Sequence, residues 1–189
     1  MKRILFLALI LGALWRIHDI SDWQRAQQAW QESRFVDAVA IWQRLREQGD
    51  LRAQVLLAHA YEAGAGVAQD SRTAIALYED AARRGEASGQ YRLAEVYLRG
   101  EGTRQDLGAA YRWMEIAAKS GVVAAQLKFG VLCLLGIEGR HEWEKGKRWL
   151  VRAASSGNES ALRVLQEMAK YELGEGSFSF DELERLVKS

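Results

Sequence analysis

Apolar positions along the chain recur at helical spacing in short blocks, and the blocks come in pairs, each pair closed by glycine. The stretch Gln90–Gly121, "QYRLAEVYLRGEGTRQDLGAAYRWMEIAAKSG", reads as helix, glycine-turned loop, helix, glycine. The same text stands 36 residues earlier and 36 later: Gly49, Gly85, Gly121 and Gly157 keep that step, as do Gln54, Gln90 and Gln126, and Gly64, Gly100 and Gly136. The alanine pairs Ala81-Ala82, Ala117-Ala118 and Ala153-Ala154 follow it too, and Ala38, Ala74, Ala110 and Gly146 nearly do. The pattern predicts helices over 52–63 and 72–84, 88–99 and 107–119, and 123–135 and 143–155. A period of this length means stacked supersecondary units, each too small to bury its own apolar face without its neighbours.

Within each copy the first helix carries an inward face. Tyr61, Tyr97 and Cys133 align at one position expected to be buried, with Leu57, Leu93 and Phe129 behind it and the glutamines a turn earlier. Gly64 and Gly66 sit in the loop "GAGVAQD" as turn formers that permit positive φ, and "GEG" at Gly100–Gly102 repeats them; the recurrence makes this Gly-x-Gly structural rather than a phosphate loop. Asp70 and Asp106 stand just before the second helices, where a carboxylate caps a helix and meets its dipole. The third copy departs: Cys133 replaces tyrosine and Glu138 stands where Gly66 and Gly102 stood, so its loop is expected to differ.

The flanks are less regular. Ser21 with Gln24 fits a capping box, Trp23, Ala26 and Trp30 share a face, and Phe35, Ala38, Ile41, Trp42 and Leu45 supply a second helix ended by Gly49. Beyond Gly157 a helix running to about Glu172 is expected, with Leu162, Leu165, Met168 and Ala169 on one face. Ser179 with Glu182 then opens a short final helix through Lys188, a terminal cap of the kind a repeat stack needs.

On "LAHAYEAGAGVAQD" with "ALYEDAARRG", and "LAEVYLRGEGTRQD" with "AAYRWMEIAAKSG", the chain resembles the SEL-one-like repeat family, a relative of the tetratricopeptide repeats. The resemblance covers Gln54 to Gly157 and implies an all-α, right-handed solenoid of antiparallel helix pairs. The expected organisation is a signal or short anchor over 1–20, a tetratricopeptide-like helix pair over 21–49, three repeats over 50–157 and capping helices over 158–189. The resemblance also implies a binding scaffold with a protein partner, rather than an enzyme, and that the first helix of each pair lines a concave wall.

Composition narrows this reading. The chain has 189 residues, nearly half of them apolar, no proline and 17 glycines, which suits helices ended by glycine. A net charge of +1 argues against nucleic acid as a partner. The single cysteine, Cys133, excludes an intrachain disulfide framework, and its position marks a small buried hydrophobe. His18, His59 and His141 have no metal-ligand spacing, and no serine sits in a nucleophile elbow, so no catalytic, cofactor-binding or metal residue is assigned. The seven tryptophans fall at helical spacing and read as inter-helix packing.

At the amino end Lys2 and Arg3 precede a 12-residue apolar run, Ile4 to Trp15. That length suits a signal-peptide core better than a full span of about 20 residues, yet no A-x-A-like cleavage site follows. The run is therefore an export signal or an uncleaved anchor with Arg16 at the interface; an apolar helix packed on the domain is the third reading. The basic start places the repeats on the exported side, in a bacterium the periplasm.

The stripe expected to face the groove is Val55, His59 and Glu62 in the first copy, Tyr91, Glu95 and Leu98 in the second, and Leu127, Val131 and Leu134 in the third. It turns wholly apolar along the solenoid, and such a stripe does not stay bare without reason. Either the C-terminal segment with Phe178 and Phe180 folds back over it, or a partner helix or peptide docks there. Envelope assembly, secretion, motility or polysaccharide export would suit such a scaffold. The alternatives are a membrane-anchored accessory subunit of an integral membrane complex, and a binder or enzyme acting on cell-wall fragments or β-lactams.

Overall fold

The computed structural model describes residues 22–136 and 141–172, together with positions 181, 183 and 185. The expected signal or anchor, the Ser21 cap, Glu138, Phe178 and Phe180 lie outside them. All elements among the described residues are helical, and the chain divides into two compact units, Met1–Ala81 and Ala82–Ser189.

The first unit holds α1 (22–31), α2 (Phe35–Glu47) and α3 (Leu51–Ala63), and α4 (Ser71–Arg83) carries the chain across its boundary. Its core is Ala26, Ala29, Trp42, Leu45, Leu57 and Ala60. Trp30 organises the aromatic part, with ring centroids 4.7 Å from Phe35, 5.0 Å from Trp42 and 5.8 Å from His59. Burying side chains of this size contributes about 1.5–3 kcal/mol each, which is why a short helix pair stands here at all. Asp22, buried at the start of α1, is paired with Arg25 and, at 3.0 Å, with Arg44 of α2.

Three helix starts, at Leu51, Ser71 and Leu107, are capped by an aspartate. Asp50 accepts from the backbone N–H of Arg52 and Ala53, Asp70 from those of Arg72 and Thr73, and Asp106 from that of Ala109. Such caps satisfy amides that have no partner inside the helix. The helix ends follow the glycines: Gly64 and Gly100 take the left-handed conformation, and their N–H groups donate to the carbonyls of Ala60 and Val96. Gly136 keeps a positive φ of 76° but has ψ 117°, unlike the left-handed Gly64 and Gly100, and positions 137–140 of the third loop lie outside the described residues.

The second unit holds α5 (Ala87–Arg99), α6 (Leu107–Lys119), α7 (Val123–Leu135), α8 (Trp143–Ser155) and α9 (Glu159–Glu172). α7 lies at its centre, with every residue from Ala125 to Leu134 buried. α7 and α8 approach backbone to backbone. A Cβ at Gly146 would stand 2.8 Å from the Gly130 carbonyl oxygen, and one at Gly130 would stand 3.1 Å from the Gly146 oxygen. The earlier copies carry alanine at both positions, Ala58 with Ala74 and Ala94 with Ala110, so the third pair packs through a contact that only glycine allows.

Two substitutions of one type should therefore differ in sign. Gly146→Ala meets backbone and Leu134, and the overlap, about 1–3 kcal/mol, exceeds the roughly 1 kcal/mol that alanine gains in a helix. Gly108→Ala in α6 meets only side-chain atoms, at 3.4 Å and 3.5 Å, and should stabilise by about 0.5 kcal/mol. Urea denaturation of both variants checks the pair: equal shifts in one direction would remove the close-contact argument.

Candidate partner-binding site

The residues expected to line the groove wall in the second unit sit on α5 and α7. Glu95 is 5% exposed and Lys128 6% exposed, and the Lys128 ammonium donates to both Glu95 oxygens at 3.1 Å and 3.2 Å. Arg99, one turn on along α5, donates to Glu95 at 2.5 Å and keeps a third of its side chain in solvent. Half-buried Tyr91 lies one turn before; burial, with the Glu95 carboxylate second, pushes its hydroxyl above the usual range. An ion pair this deep gains little net stability, because desolvation offsets the attraction. It fixes instead which residues of α5 and α7 lie side by side.

Further along, the wall is not bare. Leu98 and Leu127 are buried, and Val131 and Leu134 are wholly so, at 0% exposure. They belong to one cluster with Leu150, Ala161, Val164, Met168 and Leu183. Of the two readings of this stripe, cover from within the chain is the one these contacts fit, although Phe178 and Phe180 lie outside the described residues. Leu183, from the segment expected to form the final cap, is part of that buried cluster. In the first unit Val55 is likewise buried, His59 lies beside Trp30, and Glu62 accepts a hydrogen bond from the Tyr78 hydroxyl at 3.0 Å. Tyr61 and Tyr97, expected to be buried, are only half so, whereas Cys133 is buried.

The third copy holds a cluster that sequence reasoning did not single out. In all three copies the residue opening the second helix donates its backbone N–H to the same carbonyl: Asp70 to Tyr61, Asp106 to Tyr97, Glu142 to Cys133, at 2.9, 3.0 and 2.9 Å. Asp70 and Asp106 then cap their helices, but the longer Glu142 makes no side-chain cap. Its carboxylate accepts from the Tyr111 hydroxyl and from Lys145 at 3.3 Å. Lys145 reaches the Tyr111 oxygen at 2.9 Å and Glu115 at 3.4 Å. Small Cys133 leaves room for this, and its thiol lies 3.6 Å from the Tyr111 oxygen. The visible signal was two changes in one copy, tyrosine to cysteine and aspartate to glutamate.

The electrostatics of that cluster are those of a structural knot. The hydrogen bond from Tyr111 holds Glu142 below the usual carboxylate range, and burial together with Glu142 drives the Tyr111 hydroxyl far up. Burial pushes the Cys133 thiol from its ordinary value near 9 to about 11. A thiol raised that far carries about a hundredfold less thiolate at a given pH, and the thiolate is the reactive form. Native chain should therefore react with a disulfide reagent at pH 8 about a hundredfold more slowly than unfolded chain. Comparable rates would show that Cys133 is accessible. No group of three or more metal-ligating side chains occurs among the described residues.

These features define a class, the all-α helix-pair repeat scaffold. The Sel1 repeat model matches residues 51–86, 87–122 and 123–158, and the chain belongs to that family. A solved Sel1 repeat protein from Oxalobacter formigenes is 32% identical, with a TM-score of 0.63 over 67% of this chain and 95% of its own. A protective antigen of uropathogenic Escherichia coli with the same repeat fold is 24% identical, with a TM-score of 0.68 over 88% of this chain and 36% of its own. No curated protein matches the chain. Sel1 repeat proteins generally mediate protein–protein interaction, and the family is typically one of non-enzymatic scaffolds.

Proposed function

We propose that the chain is a non-enzymatic protein–protein scaffold on the periplasmic side of the bacterial envelope, serving an assembly, secretion, motility or export complex. The observation that carries this reading is the character of α7. Every residue of α7 from Ala125 to Leu134 is buried, and its apolar row Leu127, Val131 and Leu134 lies in one cluster with Leu150 of α8, residues of α9 and Leu183. The partner segment is proposed to lie along α5 and α7. It would meet Tyr91, Glu95 and Leu98 first and reach Leu127, Val131 and Leu134 by exchange with the chain's own cover. The basic start and the apolar run Ile4–Trp15 support export and a tether to the membrane.

The test is photocrosslinking in cells from an unnatural residue at Tyr91, with Arg163 on the outer side of α9 as control, in a full chain tagged at its C-terminus. The expected result is one membrane-fraction protein crosslinked from position 91 alone, copurifying stoichiometrically with a chain that retains Met1. A processed, soluble chain with no stoichiometric companion overturns the scaffold reading, and identical products from both positions overturn the assigned face.

A further inference from the structure

The outward faces of α6 and α8 carry a charge that the whole chain does not. Together these two helices hold six cations, Arg112, Lys119, Lys145, Lys147, Arg148 and Arg152, against two carboxylates, Glu115 and Glu144. Lys119 pairs with Glu115 and Lys145 with Glu115 and Glu142, so the exposed Arg112, Arg148 and Arg152 carry the surface charge. The chain as a whole is at +1. The corresponding helices of the first unit, α2 and α4, are balanced in Asp, Glu, Lys and Arg. Arg112 and Arg148 occupy one repeat position, where the first unit has Ala40 and Ala76. Among the cations stand two exposed branched side chains, Ile116 at 40% and Val151 at 48% exposure. Trp113 and Trp149, again 36 residues apart, lie half-buried beneath them, and the Arg152 guanidinium covers the Trp149 ring at 4.9 Å. Glu115 of α6 reaches Lys145 of α8 at 3.4 Å, so an ion pair links the two helices that carry these rows.

We propose that this patch docks on anionic phospholipid headgroups. A lone exposed isoleucine or valine is ordinary. What is not ordinary is the recurrence of an arginine and an indole side by side, Arg112 with Trp113 and again Arg148 with Trp149, each with an exposed branched apolar side chain about one turn on. The headgroup layer accommodates all three at once: guanidinium groups meet phosphate, the apolar tips enter the acyl boundary, and indoles favour that depth. The patch lies on outward helix faces rather than in a groove, which suits an extended surface better than a bound helix. Individually weak contacts suffice if the apolar run Ile4–Trp15 holds the chain at a bilayer, because tethering raises the effective concentration. The docking does not depend on what fills the α5–α7 wall.

The experiment compares sedimentation of the full chain with phosphatidylcholine vesicles and with vesicles also containing phosphatidylglycerol. Lys2, Arg3 and Arg16 beside the apolar run also favour anionic lipid, so the patch is read from the difference in this ratio between wild type and the arginine variants. Wild type should prefer the anionic vesicles by about tenfold or more, given several cations at the surface. That preference should collapse in about 1 M salt, where screening is nearly complete. The variant Arg112→Glu with Arg148→Glu and Arg152→Glu should lose most of it, while Arg163→Glu on α9 keeps it. An environment-sensitive dye on Val151→Cys should shift to the blue with anionic vesicles only, and a dye on Leu162→Cys should not; this readout stands even if the triple variant folds poorly. A triple variant with wild-type preference and helicity overturns the proposal, as does an equal shift from both dyes. A chain that ignores anionic vesicles but binds polyglutamate also overturns it, and assigns the patch to an acidic protein.

Discussion

Phe129→Ala is expected to cost the second unit about 3–5 kcal/mol, the range for removing a buried aromatic ring from a packed core. The side chain has no exposed surface, and its ring lies 4.9 Å from Tyr111 and 5.7 Å from Trp149, with the Lys145 ammonium 5.0 Å above it. Truncation thus removes one wall of the Tyr111 cluster as well as the ring itself, and α7 and α8 cannot close on the gap because they already touch through glycine. Domains are stable by only about 5–15 kcal/mol, so the loss is a large share of the total. Guanidinium denaturation followed by circular dichroism measures it. Leu162→Ala on α9, where the side chain is half exposed, should stay within about 0.5 kcal/mol. Similar values for the two variants would mean that α7 is not the centre of this unit.

The second large effect belongs to the first unit. Gly66 has φ 76°, and a Cβ there would stand 2.5 Å from the Phe35 carbonyl carbon and 2.6 Å from its oxygen. Those atoms are backbone at the start of α2 and cannot rotate aside. Gly66→Ala adds left-handed strain of about 1 kcal/mol to an overlap of about 1–3 kcal/mol, so a loss near 3 kcal/mol is expected. Gly49→Ala separates the two contributions. Its φ is 94° with no atom within 4 Å of the added Cβ, so it bears the backbone strain alone, about 1 kcal/mol. Thermal melts of both variants should differ accordingly. Equal losses would show that the contact with Phe35 carries no energy.

Much of the fold was legible because a period is a comparison of like with like. The helices over 107–119, 123–135 and 143–155 fall where the pattern put them, and those beginning at Leu51, Ser71 and Ala87 start one residue early. The contacts that give the wall its character were not legible, for a physical reason. Glu95 pairs with Lys128, 33 residues away, and Tyr111 with Glu142, 31 residues away. Both join unlike residues across neighbouring copies, and no search at a step of 36 finds them. Helical projection gave the direction of Val131 and Leu134 but not what lies opposite, so it could not tell a covered face from an open one. The glycines at 130 and 146 were visible as departures from alanine; only the 2.8 Å approach explains them.

The Tyr111–Glu142–Lys145 knot has a consequence for how such a chain can lengthen or shorten over generations. Copies joined only by shared apolar faces behave as interchangeable cassettes, and unequal recombination can add or drop one without leaving a mark. Here the third copy reaches back and ties two of its own charged side chains to a tyrosine of the second. Excising it would strand Tyr111 without its carboxylate, and duplicating it would set a second glutamate in front of Lys147, which stands where Tyr111 stood one copy earlier. The knot makes the order of these two copies a heritable constraint, so descendants should vary in length elsewhere along the array.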